Sequence, residues 1–205
     1  MVHVDFTSRM PLETLSLAKI RIADEIADTP LHNFVQSERS NPVKEYSIGL
    51  IKFNMTTNII RFLNITTAGL LAGIIFGIWL GFDPGTFSFT TYLEHQQAAI
   101  NGLNVFMPVL GFITIILTLV SAFRQKNSKG AFFTLLLAAV LLMITGLVTK
   151  FGNQPINTIV MTWTHADVPS DWTELRDRWW TLHKIRSCFS VFAFMLIVWT
   201  SLKKN

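Results

Sequence analysis

One stretch near the C-terminus sets charged, polar and aromatic side chains at the spacing of one helix face. Its members follow one another at steps of three or four residues: Trp172, Arg176, Trp179, His183, Arg186 and Ser190. An imidazole exchanges protons near neutral pH, and a guanidinium group keeps its charge and stabilises anions. The stripe therefore places groups capable of acid–base and anion-binding chemistry on one face of a helix. The alternative is structural: a hydrogen-bonded packing histidine, and arginines that form ion pairs with Glu94 or Asp177.

A second polar stripe lies in the segment YLEHQQAAINGLNVFMP, read as one helix. At steps of three and four residues it holds Glu94, Gln97, Asn101, Asn104 and Pro108. Because the residues that follow are apolar, this stripe must face protein, water or a ligand. Gln97, Asn101 and Asn104 are predicted to bind a substrate, and hydrogen bonding between helices is the alternative.

A third polar segment, GNQPIN, follows a long apolar run. Pro155 is expected to halt or kink the helix and to leave backbone carbonyl groups unpaired. Asn153 and Asn157 are short amides, suited either to capping that break or to binding a ligand. We predict that they bind a substrate. The prediction also includes three indoles that can stack on a flat ring: Trp163, Trp172 and Trp179.

No metal ion is predicted. Four candidate ligands show no recognised ligand spacing such as HExxH: Glu94, His95, His165 and His183. The single cysteine, Cys188, excludes a disulfide within the chain and a cysteine-based metal site.

The composition places these residues in a membrane protein. Half of the 205 residues are hydrophobic, only 15% are charged, and the mean hydropathy is positive. Four apolar stretches approach the ~20 residues that cross a bilayer: residues 62–82, 102–123, 131–148 and 180–202. The sequence therefore predicts an all-α fold, a four-helix transmembrane bundle, with the lipid bilayer as its surroundings.

The basic residues predict the orientation. Three of them lie in the connection RQKNSKG between the second and third stretches, and Lys203 and Lys204 are near the end of the chain. By the positive-inside rule both regions belong in the cytoplasm, which also places the N-terminus there. We predict an integral protein of the bacterial inner membrane. The net charge of +4 is scattered, so nucleic acid is not an expected partner.

Residues 1–54 are predicted to form a separate cytoplasmic or interfacial segment ahead of a transmembrane domain, residues 55–205. No cleavable signal peptide is evident, and PLETLSLAKIRIADEIADTP alternates charged with apolar residues at helical spacing. This pattern predicts an amphipathic helix on the inner membrane surface, and an accessory helix or a disordered tail are the alternatives. The segment is also a candidate contact for a partner protein or for a homo-oligomer.

The first apolar stretch carries glycines at intervals of four residues: Gly69, Gly73, Gly77 and Gly81. Such a row lets another helix approach closely, so it predicts tight helix packing. A groove that admits a flat ligand is the alternative.

The order of these segments resembles that of a known family. HQQAAINGLNVFMP, then GNQPIN, then Trp163, then DWTELRDRWWTLHKIR are similar to the pattern of the anthrone oxygenase-like integral membrane family, a former domain of unknown function. The resemblance covers about residues 60–202, and residues 1 to about 54 lie outside it. It implies a membrane enzyme that oxidises a lipophilic ring compound, an anthrone in the fungal members, with O2 and no cofactor.

The resemblance also implies a mechanism. A carbon acid beside a carbonyl group loses a proton, and the resulting enolate passes an electron to oxygen. His183 is the predicted base, with a ring that the flanking arginines keep neutral. Arg176 and Arg186 would stabilise the enolate or superoxide, and the amides would bind the carbonyl oxygen. The alternative function is a non-enzymatic membrane component for binding or transport, or a scaffold for partner proteins.

Overall fold

The computed structural model describes residues 42–202. The interfacial helix predicted within residues 11–30, and the basic end at Lys203 and Lys204, lie outside the described residues. Among the residues described, a compact unit begins at Met55 and holds all three polar segments.

Helices make up nearly all of the described chain. In order they are α1 (Pro42–Gly81), α2 (Phe89–Leu103), α3 (Phe106–Arg124), α4 (Lys129–Val148), α5 (Gln154–Val160) and α6 (Trp172–Leu202). A 3₁₀ turn (Pro84–Thr86) precedes α2, and a π-helical turn (Thr149–Asn153) joins α4 to α5. Apart from one isolated β-bridge between Thr164 and Asp167, residues 42–202 contain no strand.

Four segments of the described chain are long and apolar enough to cross a membrane: Met55–Thr86, Phe106–Arg124, Lys129–Val160 and Trp172–Leu202. The predicted all-α fold with four spans is therefore confirmed, and the protein is a transmembrane helical bundle. The side of the membrane that each end faces stays a prediction.

A proline explains why α2 and α3 are two helices. Pro108 has no N–H to bond the carbonyl group of Asn104, four residues earlier, and its ring crowds that carbonyl. The chain turns at Asn104 and Val105, and Pro108 falls in the first turn of α3, where no intrahelical N–H bond is needed. The prediction of one continuous helix through the second polar stripe is wrong: Asn104 still bonds the carbonyl of Ile100 at the end of α2, and the break after it separates Pro108 from the rest of the stripe.

The π-helical turn carries the third span past its own proline. The N–H of Gln154 bonds the carbonyl of Thr149, five residues earlier, which is the π pattern. Pro155 then lies in the first turn of α5, where its missing N–H leaves no bond unmade. The helix kinks rather than halts, and the third span extends to Val160, beyond the predicted end at residue 148.

The bundle core lies between α1, α3, α4 and α6. Its buried apolar residues include Ala68, Leu71, Ile75, Leu110, Ala122, Leu135, Ala138, Leu142, Ala193 and Ile197. The π-helical turn approaches α6 closely at Gly152, where an added Cβ atom would lie 2.9 Å from the Leu182 side chain. A larger residue at this position would therefore make the Leu182 side chain shift.

The glycine row of α1 is used at one end only. A Cβ atom added at Gly69 would lie 3.2 Å from the ring of Phe194 in α6, which fits the predicted close packing. Cβ atoms added at Gly73, Gly77 or Gly81 would meet nothing within 4 Å. Within the described chain, the predicted close packing is therefore not found at these three positions.

A group of polar residues joins α1 to α3 near the short connection between α3 and α4. It is termed the turn-end cluster and consists of Arg61, Asn64, Thr118, Ser121 and Gln125. The Thr118 hydroxyl donates to Oδ1 of Asn64 at 2.8 Å, and Arg61 Nη2 donates to Oε1 of Gln125. The Gln125 amide in turn donates to the Ser121 hydroxyl at 3.0 Å. These buried bonds tie the two helices together inside the apolar part of the bundle.

Candidate functional site

The polar segments meet at a cavity at the end of the bundle where α2 lies. It has a volume of about 180 Å³ and is bounded by α1, α2, α3, the π-helical turn, α5 and α6. Its polar lining residues are His95, Gln96, Asn104, Thr149, Asn157 and Arg186. The rest of the wall is apolar or aromatic, and the cavity is termed the Trp179 cavity after the indole that lines it.

Arg186 is the charged group of this cavity, and it lies within the fourth membrane span. Its Nη1 donates to the Thr149 hydroxyl at 3.2 Å, and its Nη2 and Nε donate to Nδ1 of His183 at 2.9 and 3.3 Å. Among the described residues no carboxylate forms an ion pair with it. Arg186 therefore presents a positive charge, held by neutral partners, at the wall of a largely apolar cavity.

His183 lies behind this wall rather than in it. The side chain is fully buried and does not line the Trp179 cavity. A guanidinium group can only donate, so Nδ1 accepts from Arg186, and the ring proton is on Nε2, which donates to the carbonyl of Ile75 at 3.0 Å. The ring also stacks on Trp179 and Trp180, with centroids 5.1 and 5.4 Å away. Both nitrogens of the predicted base are thus occupied.

The side-chain oxygen of Asn157 accepts hydrogen bonds from two other residues of the cavity wall. Oδ1 of Asn157 accepts from the indole N–H of Trp179 at 2.8 Å, and more weakly from Nε2 of Gln96 at 3.5 Å. Oε1 of Gln96 is buried and has no hydrogen-bond partner among the described residues. Gln96 thus holds a buried, unpartnered acceptor among the residues that line the cavity. Asn153 bonds the Trp179 carbonyl at 3.0 Å and fixes the π-helical turn to α6.

Several residues predicted to bind a substrate are placed elsewhere. The Gln97 amide donates to the carbonyls of Val160 and Trp163, at 3.0 and 3.1 Å, so it ties α2 to the end of α5. Asn101 is exposed and does not line the cavity. Asn104 does line the cavity, but it lies in the turn after α2.

Trp163 and Trp172 belong to an aromatic cluster beside the cavity. Both rings contact Phe89, with centroids 6.0 and 5.4 Å away, and Trp172 also contacts Tyr92 at 5.9 Å. The Tyr92 hydroxyl is buried without a hydrogen-bond partner among the described residues. Burial raises the pKa of Tyr92 well above that of an ordinary phenol, and the nearby positive charge of Arg176 opposes this only in part.

Arg176 is separated from Arg186 by almost three turns of α6. Its Nε donates to Oδ1 of Asp177 at 2.8 Å, and its guanidinium group lies 4.9 Å from the centre of the Trp172 ring. The arrangement is the ion pair with Asp177 that the structural alternative described. The geometry does not bring Arg176 to the Trp179 cavity.

Three polar residues that line the cavity were not predicted from the sequence as binding residues: His95, Gln96 and Thr149. A signal for Gln96 was available, because it lies on the buried face of α2 together with Phe89, Tyr92, Leu93 and Ile100. The ring of His95 stacks on that of Phe87, with centroids 5.5 Å apart. Nothing in the sequence pointed to Thr149, because its role depends on the π-helical turn.

His165 and Glu94 form an exposed pair on the surface. Glu94 and His165 approach to 3.8 Å, and both side chains are more than half exposed. Within residues 42–202 no three His, Cys, Asp or Glu side chains come together to hold a metal ion.

The fold and the cavity define a class: a four-span membrane protein with a largely apolar hollow, bearing a few polar groups, at one end of its bundle. Residues 97–196 match the sequence model of the anthrone oxygenase family. The match runs from α2 to α6 and includes Asn157, His183 and Arg186, whereas α1 lies outside it. No curated protein and no solved structure matches the chain.

Proposed function

We propose that the protein is a membrane oxygenase that oxidises a lipophilic ring ketone with O2 in the Trp179 cavity. The observation that carries this proposal is the Arg186 guanidinium group, which lies at the wall of a largely apolar cavity and has no carboxylate partner among residues 42–202. A fixed charge in such surroundings stabilises a developing anion far more than it would in water. The family match supports the same class of chemistry.

The reaction needs an anion in its first step. A methylene carbon conjugated with the ring carbonyl loses a proton, and the negative charge moves to the carbonyl oxygen. The enolate transfers an electron to O2, a carbon–oxygen bond forms, and loss of water from the hydroperoxide leaves a second carbonyl group. One O2 is consumed for each quinone and each water formed. In this proposal Arg186 stabilises the oxyanion.

The proposed base is His95 rather than His183. Of the described residues that line the Trp179 cavity, His95 is the one histidine, the side-chain type that most often acts as a general base. Both ring nitrogens of His183 are occupied by Arg186 and by the Ile75 carbonyl. His183 therefore acts as a positioning residue that holds Arg186 toward the cavity.

The remaining wall residues orient a flat ring. Trp179, fixed by Asn157 and stacked on His183, offers an indole face to the cavity. Oε1 of Gln96 accepts a hydrogen bond from a ring hydroxyl group of the substrate. The substrate class is thus a planar ketone that carries a hydroxyl group.

Oxygen uptake by the purified protein in detergent tests the proposal, with a hydroxylated anthrone as substrate and the protein-free detergent as blank. Arg186→Gln is expected to lower kcat about 100- to 1,000-fold, the usual loss for a preorganised oxyanion donor. Arg61→Gln is the matched control: it removes a guanidinium group that also donates to neutral acceptors, but away from the cavity, and it keeps the wild-type rate.

Wild-type uptake no faster than the blank would refute the oxygenase. Saturable binding of the anthrone without oxygen uptake would favour the non-enzymatic binding component instead. Equal rates in wild type and Arg186→Gln would remove the proposed role of the guanidinium group.

A further inference from the structure

A second cavity continues from the first. It has a volume of about 240 Å³ and lies between α1, α3, α4 and the π-helical turn. Five residues line both cavities: Ile75, Met107, Pro108, Thr149 and Arg186. The two hollows therefore meet at the Arg186–Thr149 hydrogen bond. The second is termed the Gly111 cavity.

The Gly111 cavity differs from the Trp179 cavity in depth and chemistry. Beyond Arg186 and Thr149 its wall extends toward the middle of the spans through Leu71, Ile115 and Leu142. Phe112 lies at its rim with 66% of its surface exposed, on a membrane-spanning helix. The cavity is thus a largely apolar hollow that reaches the lipid-facing surface of the bundle, with Thr145, Lys150 and Gln154 also in its wall.

Two glycines keep this cavity open. Gly111 on α3 and Gly146 on α4 both line it, and a Cβ atom added at either would meet nothing within 4 Å. Because this hollow opens at the lipid-facing surface and shares its wall with the Trp179 cavity at Arg186, one elongated molecule has room to extend through both.

We infer that the Gly111 cavity holds an alkyl chain attached to the ring that occupies the Trp179 cavity. The inference rests on the proposed function and narrows its substrate class to ring ketones with an apolar chain, that is, amphiphiles resident in the bilayer. The ring and its oxygen atoms lie at Arg186 and Gln96, and the chain lies along Leu71, Ile115 and Leu142. Because lipid tails are as apolar as the cavity, it selects the chain by shape rather than by hydrophobicity.

Binding of two non-reacting quinones tests this inference apart from turnover. The probes are a hydroxylated anthraquinone and the same ring with an n-octyl chain, and quenching of tryptophan fluorescence reports each Kd. The readout is the ratio of the Kd for the octyl quinone to the Kd for the plain quinone. Gly111→Leu and Gly146→Leu place a side chain in the chain's path, so we expect the ratio to rise about tenfold in each.

Gly73→Leu is the matched control, because its added side chain also meets nothing within 4 Å but lines neither cavity. Its ratio is expected to equal that of wild type. Should the leucine variants fail to fold, Gly111→Ala and Gly146→Ala replace them, with an expected rise of about twofold.

The outcomes separate the two proposals. An unchanged ratio in the Gly111 and Gly146 variants overturns the chain site, even if the wild type consumes oxygen with the plain anthrone. A raised ratio supports the chain site, even if no oxygen is consumed, and the protein is then a binder of chain-bearing rings. If the wild type binds neither quinone, both proposals fall.

Discussion

Arg61 and Arg186 are two arginines in membrane-spanning helices, at opposite ends of the same bundle. Each donates to a neutral side chain: Arg61 to Gln125, and Arg186 to His183 and Thr149. Both regions also contain buried polar atoms without a partner among the described residues, including Nε of Arg61 and Oε1 of Gln96. Neither the residue types nor the unpartnered atoms distinguish the two ends.

The presence of a cavity beside the arginine distinguishes the two ends. None of the residues of the turn-end cluster lines the Trp179 cavity or the Gly111 cavity, whereas Arg186 lines both. At the turn end the polar groups face one another across a closed helix contact, so they join α1 to α3. At the cavity end His183 and Thr149 hold the guanidinium group from one side and leave its other side to the hollow. A polar residue in a membrane helix thus becomes part of a site when its partners fix it without enclosing it.

Among variants that keep Arg186 itself, the largest expected effect comes from replacing the group that holds it. His183→Phe removes both hydrogen bonds of the ring, so Arg186 loses its position and kcat is expected to fall about 100-fold. His183→Gln keeps an acceptor for Arg186 and a donor for the Ile75 carbonyl but cannot exchange protons. We expect it to retain kcat within about tenfold of wild type.

The same oxygen-uptake assay separates kcat from KM for the two variants. If His183→Gln were as inactive as His183→Phe, the ring would be the base itself and the proposed role of His95 would be wrong. Gln125→Leu, which removes the partner of Arg61 at the turn end, is the control and is expected to lower stability without changing kcat.

An intermediate effect is expected at Tyr92, which lies in α2, outside the membrane spans. Its hydroxyl is buried without a partner among the described residues, so Tyr92→Phe is expected to stabilise the protein by about 1–3 kcal/mol. Burial raises the pKa of Tyr92 in the folded state. As pH rises through the ordinary phenol pKa of about 10, only the unfolded chain ionises this group, so stability falls with pH.

Thermal unfolding at pH values on both sides of that range measures both effects. Tyr92→Phe should raise Tm at neutral pH and lessen its decline at high pH. A lower Tm for Tyr92→Phe would show that the hydroxyl group has a favourable partner. The Tyr92 hydroxyl would then resemble the hydrogen-bonded side chains of Gln125 and Ser121 at the turn end.

The smallest expected effect comes from a matched pair of threonines, one at each end. Thr118→Val removes the bond to Asn64, a loss of about 0.6 kcal/mol for a hydrogen bond between membrane helices. We expect a slightly lower unfolding midpoint in denaturant and an unchanged rate of oxygen uptake.

Thr149→Val is the same chemical change at the other end, where the hydroxyl accepts from Arg186. A comparable loss of stability is expected, together with a lower kcat. If both variants changed kcat equally, the distinction between a closed polar contact and an open site would not hold.

The stripe on α6 could be predicted from the sequence because this helix is unbroken from Trp172 to Leu202. Residues at steps of three and four stay on one face along such a helix. Trp179 and His183 are both buried on that face. The stripe through α2 and α3 failed at Pro108, because spacing carries no information across a break in the helix.

The position of the hollow could not be predicted either. It depends on the π-helical turn at Thr149 and on the side of α2 that Gln96 faces. Both are set by contacts between helices that are distant along the chain. Sequence spacing within one helix carries no information about such contacts. It therefore predicted Gln97 as a binding residue, whereas the neighbouring Gln96 lines the cavity.

The hydrogen bond from His183 to α1 ends on the main-chain oxygen of Ile75. A main-chain oxygen is present whichever amino acid occupies that position, so Ile75 can be substituted without losing this hydrogen bond. The requirement placed on α1 is one of distance and backbone course, not of residue identity. A segment can thus contribute to a site through its backbone alone, without any characteristic residue in its sequence.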